Sequence, residues 1–211
     1  MAKKRDMTTG SPTKALIFFA LPIFLGQLFQ QLYNITDTKV IGIELGDSGL
    51  AAMSSVGSIY GILVGIANGL NNGCAIIAAR MYGSKNSAML KRTIAHMLVI
   101  NFTATGLFMM IGLLFINPLM RIMEVPETVY NDARVYLTFI LCGMATTIAY
   151  NMCAAILRAV GDSTTPLLFL IGCSVLNAGL DVLLLIVFKL GIAGAASATI
   201  ASQALSALLC F

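Results

Sequence analysis

Apolar residues along the chain gather into six blocks, near Ala15 to Thr38, Leu50 to Ala79, Thr93 to Asn117, Val135 to Leu157, Leu167 to Phe188 and Ile192 to Phe211. Each is long enough to cross a hydrocarbon core of roughly 30 Å, which takes about 20 helical residues. The blocks lack the short apolar/polar alternation of barrel strands, and backbone polar groups in lipid must be bonded within the segment, so α-helices are predicted. The pattern gives an all-α membrane protein: a basic N-terminal tail over 1–14, then a six-helix transmembrane bundle over 15–211. In the second helix Gly57, Gly61, Gly65, Gly69 and Gly73 recur at every fourth position. That spacing predicts a face on which a neighbouring helix packs closely. Asn68, Asn71 and Asn72 lie near the cytoplasmic end of the same helix.

Composition agrees with a bilayer environment, with 58% hydrophobic and 10% charged residues and a mean hydropathy of +0.90. The first block is too long for a cleaved signal core, so it is expected to stay as a helix. Lys3, Lys4, Arg5, Lys14, Arg80, Lys85, Lys91, Arg92 and Arg158 fall on one side of the predicted topology; Lys39, Arg121, Arg134 and Lys189 fall on the other. The N-terminus is therefore expected in the cytoplasm, with the chain in the cell membrane. Topology accounts for most of the net charge of +4, and no nucleic-acid partner is needed to explain it. The five cysteines fall inside spans without metal-ligand spacing and read as small apolar residues. His96, at the cytoplasmic start of the third span, is given no role.

Two acids stand within the predicted spans, Asp37 and Asp181. An ionised aspartate at mid-span costs about 2.5–3.5 kcal/mol on insertion scales, so such residues face cavities, find partners or carry ions. Gln27, Gln30, Gln31, Asn34 and Asp37 recur at steps of three and four, which puts them on one helix face. Asn177 and Asp181 are likewise four apart. Thr199 follows Ile192 by seven residues, as Asp181 precedes Phe188 by seven, placing both about 10 Å in from one tight turn. Asp37 counts to about 33 Å along an ideal helix from Ala15, near the outer surface. A bend at Pro22, or a helix continuing toward Leu45, would draw it inward. Asp37, Asn177, Asp181 and Thr199 thus form a candidate site for Na⁺, whose hard-ion chemistry suits oxygen ligands, or for a proton shared by carboxyls that cannot both ionise easily.

The chain resembles the multidrug and toxic compound extrusion (MATE) family of secondary transporters. The likeness is carried by ALPIFLGQLFQQLYNITDTKVIG (20–42), GIANGLNNGCAIIAARMYG (65–83), AILRAVGDSTTP (155–166), LNAGLDVLLL (176–185) and LGIAGAASAT (190–199), in family order. The resemblance implies one lobe of a twelve-helix, two-lobe transporter that exports drugs or other organic compounds, cationic or neutral, in exchange for Na⁺ or H⁺. It implies no cofactor beyond the coupling ion, and no enzyme activity. By motif it assigns the cation site to the same Asp37, Asn177, Asp181 and Thr199. By position it adds Tyr136 and Asn151 as cavity lining, beside Gln30 and Asn34 of the polar stripe, and makes Pro22 the bending proline. No second lobe and no internal repeat is present in the sequence, so a C-terminal lobe or a second chain is an expected partner.

A lipid-linked oligosaccharide flippase of the same superfamily is the nearest alternative; it would line its cavity with basic residues, and none lies inside the predicted spans. An intramembrane aspartyl protease also uses two buried aspartates, but its G-x-G-D sequence is absent: NAGL precedes Asp181. A non-transporting membrane scaffold would tolerate asparagine at both acids.

Overall fold

A computed structural model describes residues 11–210. Most of the basic tail, with Lys3, Lys4 and Arg5, and the terminal Phe211 lie outside those residues. The first helix, α1, runs over Pro12–Gly83 with Pro12 at its first turn, a position where the missing proline N–H costs nothing. The helix thus begins within the last residues of the predicted 1–14 tail. Then follow α2 (Ser87–Leu114), α3 (Ile116–Ile122), α4 (Tyr130–Ala159), α5 (Thr164–Asp181), a π-helical turn (Val182–Val187) and α6 (Gly191–Cys210). The protein is a multi-pass helical bundle.

One residue breaks α1. Gly46 has φ 63° and ψ −158°, in a region open essentially to glycine alone. The break divides one long run into two segments, 12–45 and 47–83, which contain the first two predicted spans, Ala15 to Thr38 and Leu50 to Ala79. Because the first continues to Leu45, Asp37 stands eight residues, or about 12 Å, below the break, and it is only 5% exposed. The backbone at Pro22 stays helical. Replacing Gly46 with alanine is expected to cost about 1–3 kcal/mol and to lower the melting temperature in detergent; an unchanged melt would show that this turn does not need a positive φ.

The centre of the bundle is α4, with 61% of its apolar window buried against 22% for α2 and for α5 with its π turn. Leu137, Leu141, Met144 and Ile148 are nearly or fully inaccessible. They recur at steps of three and four and pack with Val56, Ile59 and Met120. Burying such side chains stabilises by about 1.5–3 kcal/mol each. Large apolar side chains on α2, among them Val99, Phe102, Met110 and Leu114, point outward instead, as a helix in contact with lipid requires.

Small residues set two further contacts. Gly112 faces Leu141, and Gly194 lets α6 approach the Leu184 carbonyl of the π turn, where an added Cβ would stand 3.2 Å from that oxygen. The glycine row of the second span does not do this. Gly57, Gly61, Gly65, Gly69 and Gly73 are all exposed, with nothing within 4 Å of an added Cβ. The close helix approach expected along that face is absent among the described residues.

Asp162 fixes the start of α5. Its Oδ1 accepts from the Thr164 and Thr165 amides at 3.2 and 3.0 Å, and its Oδ2 from the Thr165 hydroxyl at 2.6 Å. Asp162→Ala should cost about 1 kcal/mol, the usual value of a helix cap, read as a lower melting temperature. A melt at the wild-type value would mean that water replaces the cap at no loss.

Candidate cation and substrate site

The first span, the α5 end and α6 converge on the two acids. Asp37 and Asp181 lie near enough for each to feel the other's charge, and both are buried, Asp181 at 1% exposure. Asn177 lies one turn before Asp181 and is equally buried. Among the described residues, Asp37 Oδ1, both Asp181 carboxyl oxygens and the Asn177 amide nitrogen have no hydrogen-bond partner. As carboxylates the two acids carry acceptors only, so they can bond to each other only through a shared proton. Two ionised acids held together out of water repel strongly. A proton or a cation between them removes that repulsion and engages oxygens that otherwise go unmatched.

The π turn begins immediately after Asp181. Its wider winding appears as the Phe188 N–H donating to the Leu183 carbonyl at 3.0 Å, followed by Leu190 N–H to Leu184 O at 3.0 Å. Such turns recur at functional sites. No polar residue marks it within VLLLIV, and the sequence reads there as continuous helix.

Beside the acids lies a cavity of about 360 Å³, lined on one side by Gln30, Tyr33, Asn34 and Asp37 and on the other by Tyr60, Tyr136, Thr147, Asn151 and Thr199. Every predicted lining residue reaches it. Asn177 and Asp181 do not; they sit behind Asp37, so the predicted four-residue set divides into a cavity pair, Asp37 and Thr199, and a buried pair. Pro22 lines a second cavity of about 390 Å³ instead, with Asn72, Arg158 and Ser163. The two cavities share Gln27, Gln30, Asn68, Tyr150 and Asn151, making one polar tract with two chambers. Asn68 and Asn72, four apart, face this tract. Asn71 turns away and is buried at 1% exposure.

Tyrosines tie the walls together. Tyr33 donates to Thr199 Oγ1 at 3.4 Å, Tyr60 to Thr147 Oγ1 at 3.1 Å and Tyr150 to the Pro166 carbonyl at 3.2 Å. These bonds join α1 to α6, α1 to α4 and α4 to α5, each at the tract. The apolar pattern of the sequence does not single out these three tyrosines. For Tyr33 a signal existed, since it stands four residues before Asp37 on the polar face of the first span.

The absence of cations from the walls also needs correction. Ending the fourth block at Leu157 excluded Arg158, but α4 continues to Ala159, and the half-buried Arg158 lines the second chamber. Arginine reaches inward from a helix end because its apolar stem can lie along the bundle.

Against known families, residues 22–183 match the model named MatE. The chain belongs to the MatE family. It is 34% identical over 212 residues to a probable multidrug resistance protein, YpnP, of Bacillus subtilis (strain 168), covering 98% of this chain and 46% of that one. It also superimposes on a MATE transporter solved in complex with MaL6, with a TM-score of 0.91 and 26% identity over 100% of this chain and 46% of that one. An outward-facing multidrug resistance MATE transporter gives a TM-score of 0.89 at 26% identity, over 95% of this chain and 44% of its own. The chain spans a little under half the length of each. It is a transporter-family membrane protein with the helical fold expected from the resemblance.

Proposed function

We propose that this chain is the ion-coupling lobe of an antiporter that exports organic compounds across the cell membrane in exchange for Na⁺ or H⁺, with its N-terminus in the cytoplasm. The observation that carries this reading is the Asp37–Asp181 pair, buried, without donors, and open through Asp37 to a polar cavity. Among the described residues no three His, Cys, Asp or Glu side chains converge. The donors are therefore two carboxyls with the amide of Asn177 and the hydroxyl of Thr199 nearby, which is hard-cation or proton chemistry.

Coupling follows from position. A cation at Asp37 neutralises the wall on which a positively charged or hydrogen-bonding cargo would rest, so cation and cargo oppose each other in the same chamber. Entry of the ion from outside then favours release of the cargo, and a change of bend at Pro22 is the proposed means by which the first span reshapes the cavity. A second lobe, in the same polypeptide or another, would supply the opposite wall. The chamber next to the acids has no lysine or arginine in its lining, which favours neutral or cationic cargo there over the cargo of an oligosaccharide flippase.

Tetraphenylphosphonium, whose charge does not titrate, tests the reading on the purified chain in lipid nanodiscs. It should bind saturably, and added Na⁺ or acid should weaken that binding in the wild type but not in Asp37→Asn. Binding indifferent to Na⁺ and to pH would remove the basis for exchange.

A further inference from the structure

The second chamber differs from the first in the charge at its wall. Arg158 forms no ion pair or hydrogen bond among the described residues. The acid nearest to it in sequence, Asp162, is already committed to the α5 cap. Gln27, Asn68, Asn72 and Asn151 line the same chamber as Arg158, and none of them makes a side-chain hydrogen bond to another described residue. A half-buried cation with no acidic counter-charge is costly, and the four amides lining the same chamber have NH2 groups free to donate to an anion, although their carbonyls can equally accept. Leu167, Leu170 and Ile23 supply an apolar edge. At about 390 Å³ the space lies within the usual range for small-molecule pockets and exceeds what a bare inorganic anion fills.

We propose that the Arg158 chamber is a binding site for an oxyanion, a carboxylate or phosphate carried on an apolar body, held by the guanidinium fork and the surrounding amides. The site is centred on Arg158, which does not line the chamber beside Asp37, and it shares Gln27, Asn68 and Asn151 with that chamber. The polar tract of this lobe thus bears an acid at one end and a base at the other, and the anionic group is held on the side where Arg80, Lys85, Lys91 and Arg92 gather. Arginine presents two parallel donors that match a carboxylate or phosphate, and the amides can bond the remaining oxygens.

The same chemistry is offered by a free organic anion or by a phospholipid headgroup entering from the bilayer, and two arms separate them. In the first, the purified chain in phosphatidylcholine nanodiscs is titrated with 2-naphthoate and, for comparison, with the 2-naphthyltrimethylammonium cation. In the second, retention of phosphatidylglycerol on the chain is read by native mass spectrometry. Arg158→Gln should weaken binding at least tenfold in one arm or both, Arg158→Lys should retain most of it, and Arg80→Gln, an equal charge change on an exposed residue of the same end, should stay within twofold of wild type. The arm that responds identifies the source of the anion. If Arg158→Gln does not fold, Asn72→Asp tests the same wall with the arginine in place and should weaken binding several-fold. The proposal fails if the wild type binds neither probe, if naphthoate binds no better than the matched cation and no phosphatidylglycerol is retained, or if Arg158→Gln and Asn72→Asp both bind as the wild type does.

Discussion

Asp37→Asn is expected to reduce Na⁺ affinity of the purified chain by on the order of a hundredfold, equivalent to about 2.8 kcal/mol at 1.4 kcal/mol per decade. Asp181→Asn should do the same. Each substitution keeps the shape of the side chain but removes one of two facing negative charges, and with it most of the attraction for a cation in a site shielded from water. The remaining carboxyl, no longer opposed by its neighbour, can stay ionised without a bound ion. In the wild type, Na⁺ affinity should fall as pH is lowered, because protons and Na⁺ compete for the same oxygens and the ion-bound form holds fewer protons. Calorimetric titration across pH, on variants shown to remain folded, reads both effects. A chain that binds no Na⁺ but exchanges protons in the wild type and not in either variant would assign H⁺ as the coupling ion. Asparagine variants that match the wild type in both Na⁺ and proton binding would leave the acids a structural role only.

Buried charge was the most legible feature of the sequence because its cost in lipid leaves so few places for it. Asp37 and Asp181 were found by that cost alone, and the steps of three and four placed Gln30 and Asn34 beside Asp37. Tyr60 and Tyr150 escape notice for the converse reason. Both are amphipathic, fit an apolar block without disturbing its period, and show their role only when Thr147 and Pro166 arrive from other helices. Spacing identified the Gly57 to Gly73 face but could not show what lies opposite it. Arg158 was lost to a span boundary set two residues short of the helix end. The π turn after Asp181 has no counterpart in residue type, since Val182 to Val187 would suit either winding.

Gly143→Val should be the most disruptive of the glycine substitutions, since an added Cβ on Gly143 of α4 runs directly into Ile200 of α6. A Cβ there would overlap Ile200 Cγ1 and stand 2.7 Å from its Cδ1. Even Gly143→Ala must move something. Alanine gains about 0.5–1 kcal/mol over glycine inside a helix, while overpacking costs typically about 1–3 kcal/mol. The clash should prevail because the atom it strikes is held on a β-branched side chain, whose χ1 is restricted in a helix. Valine adds two more methyls to the same space and should melt several degrees below alanine. Ile200→Ala empties that space, so the Gly143→Ala, Ile200→Ala double variant should recover part of the loss, a coupling a double-mutant cycle measures directly. Gly61→Ala, at an exposed position with nothing within 4 Å, should be neutral or slightly stabilising. The effect should also reach the acids: Thr199 adjoins Ile200, and a displaced α6 carries its hydroxyl away from Tyr33 and from the wall it shares with Asp37, weakening Na⁺ binding along with stability. If Gly143→Ala melts at or above the wild-type temperature, α4 and α6 are not seated as closely as described, and the position of Thr199 in the site loses its support.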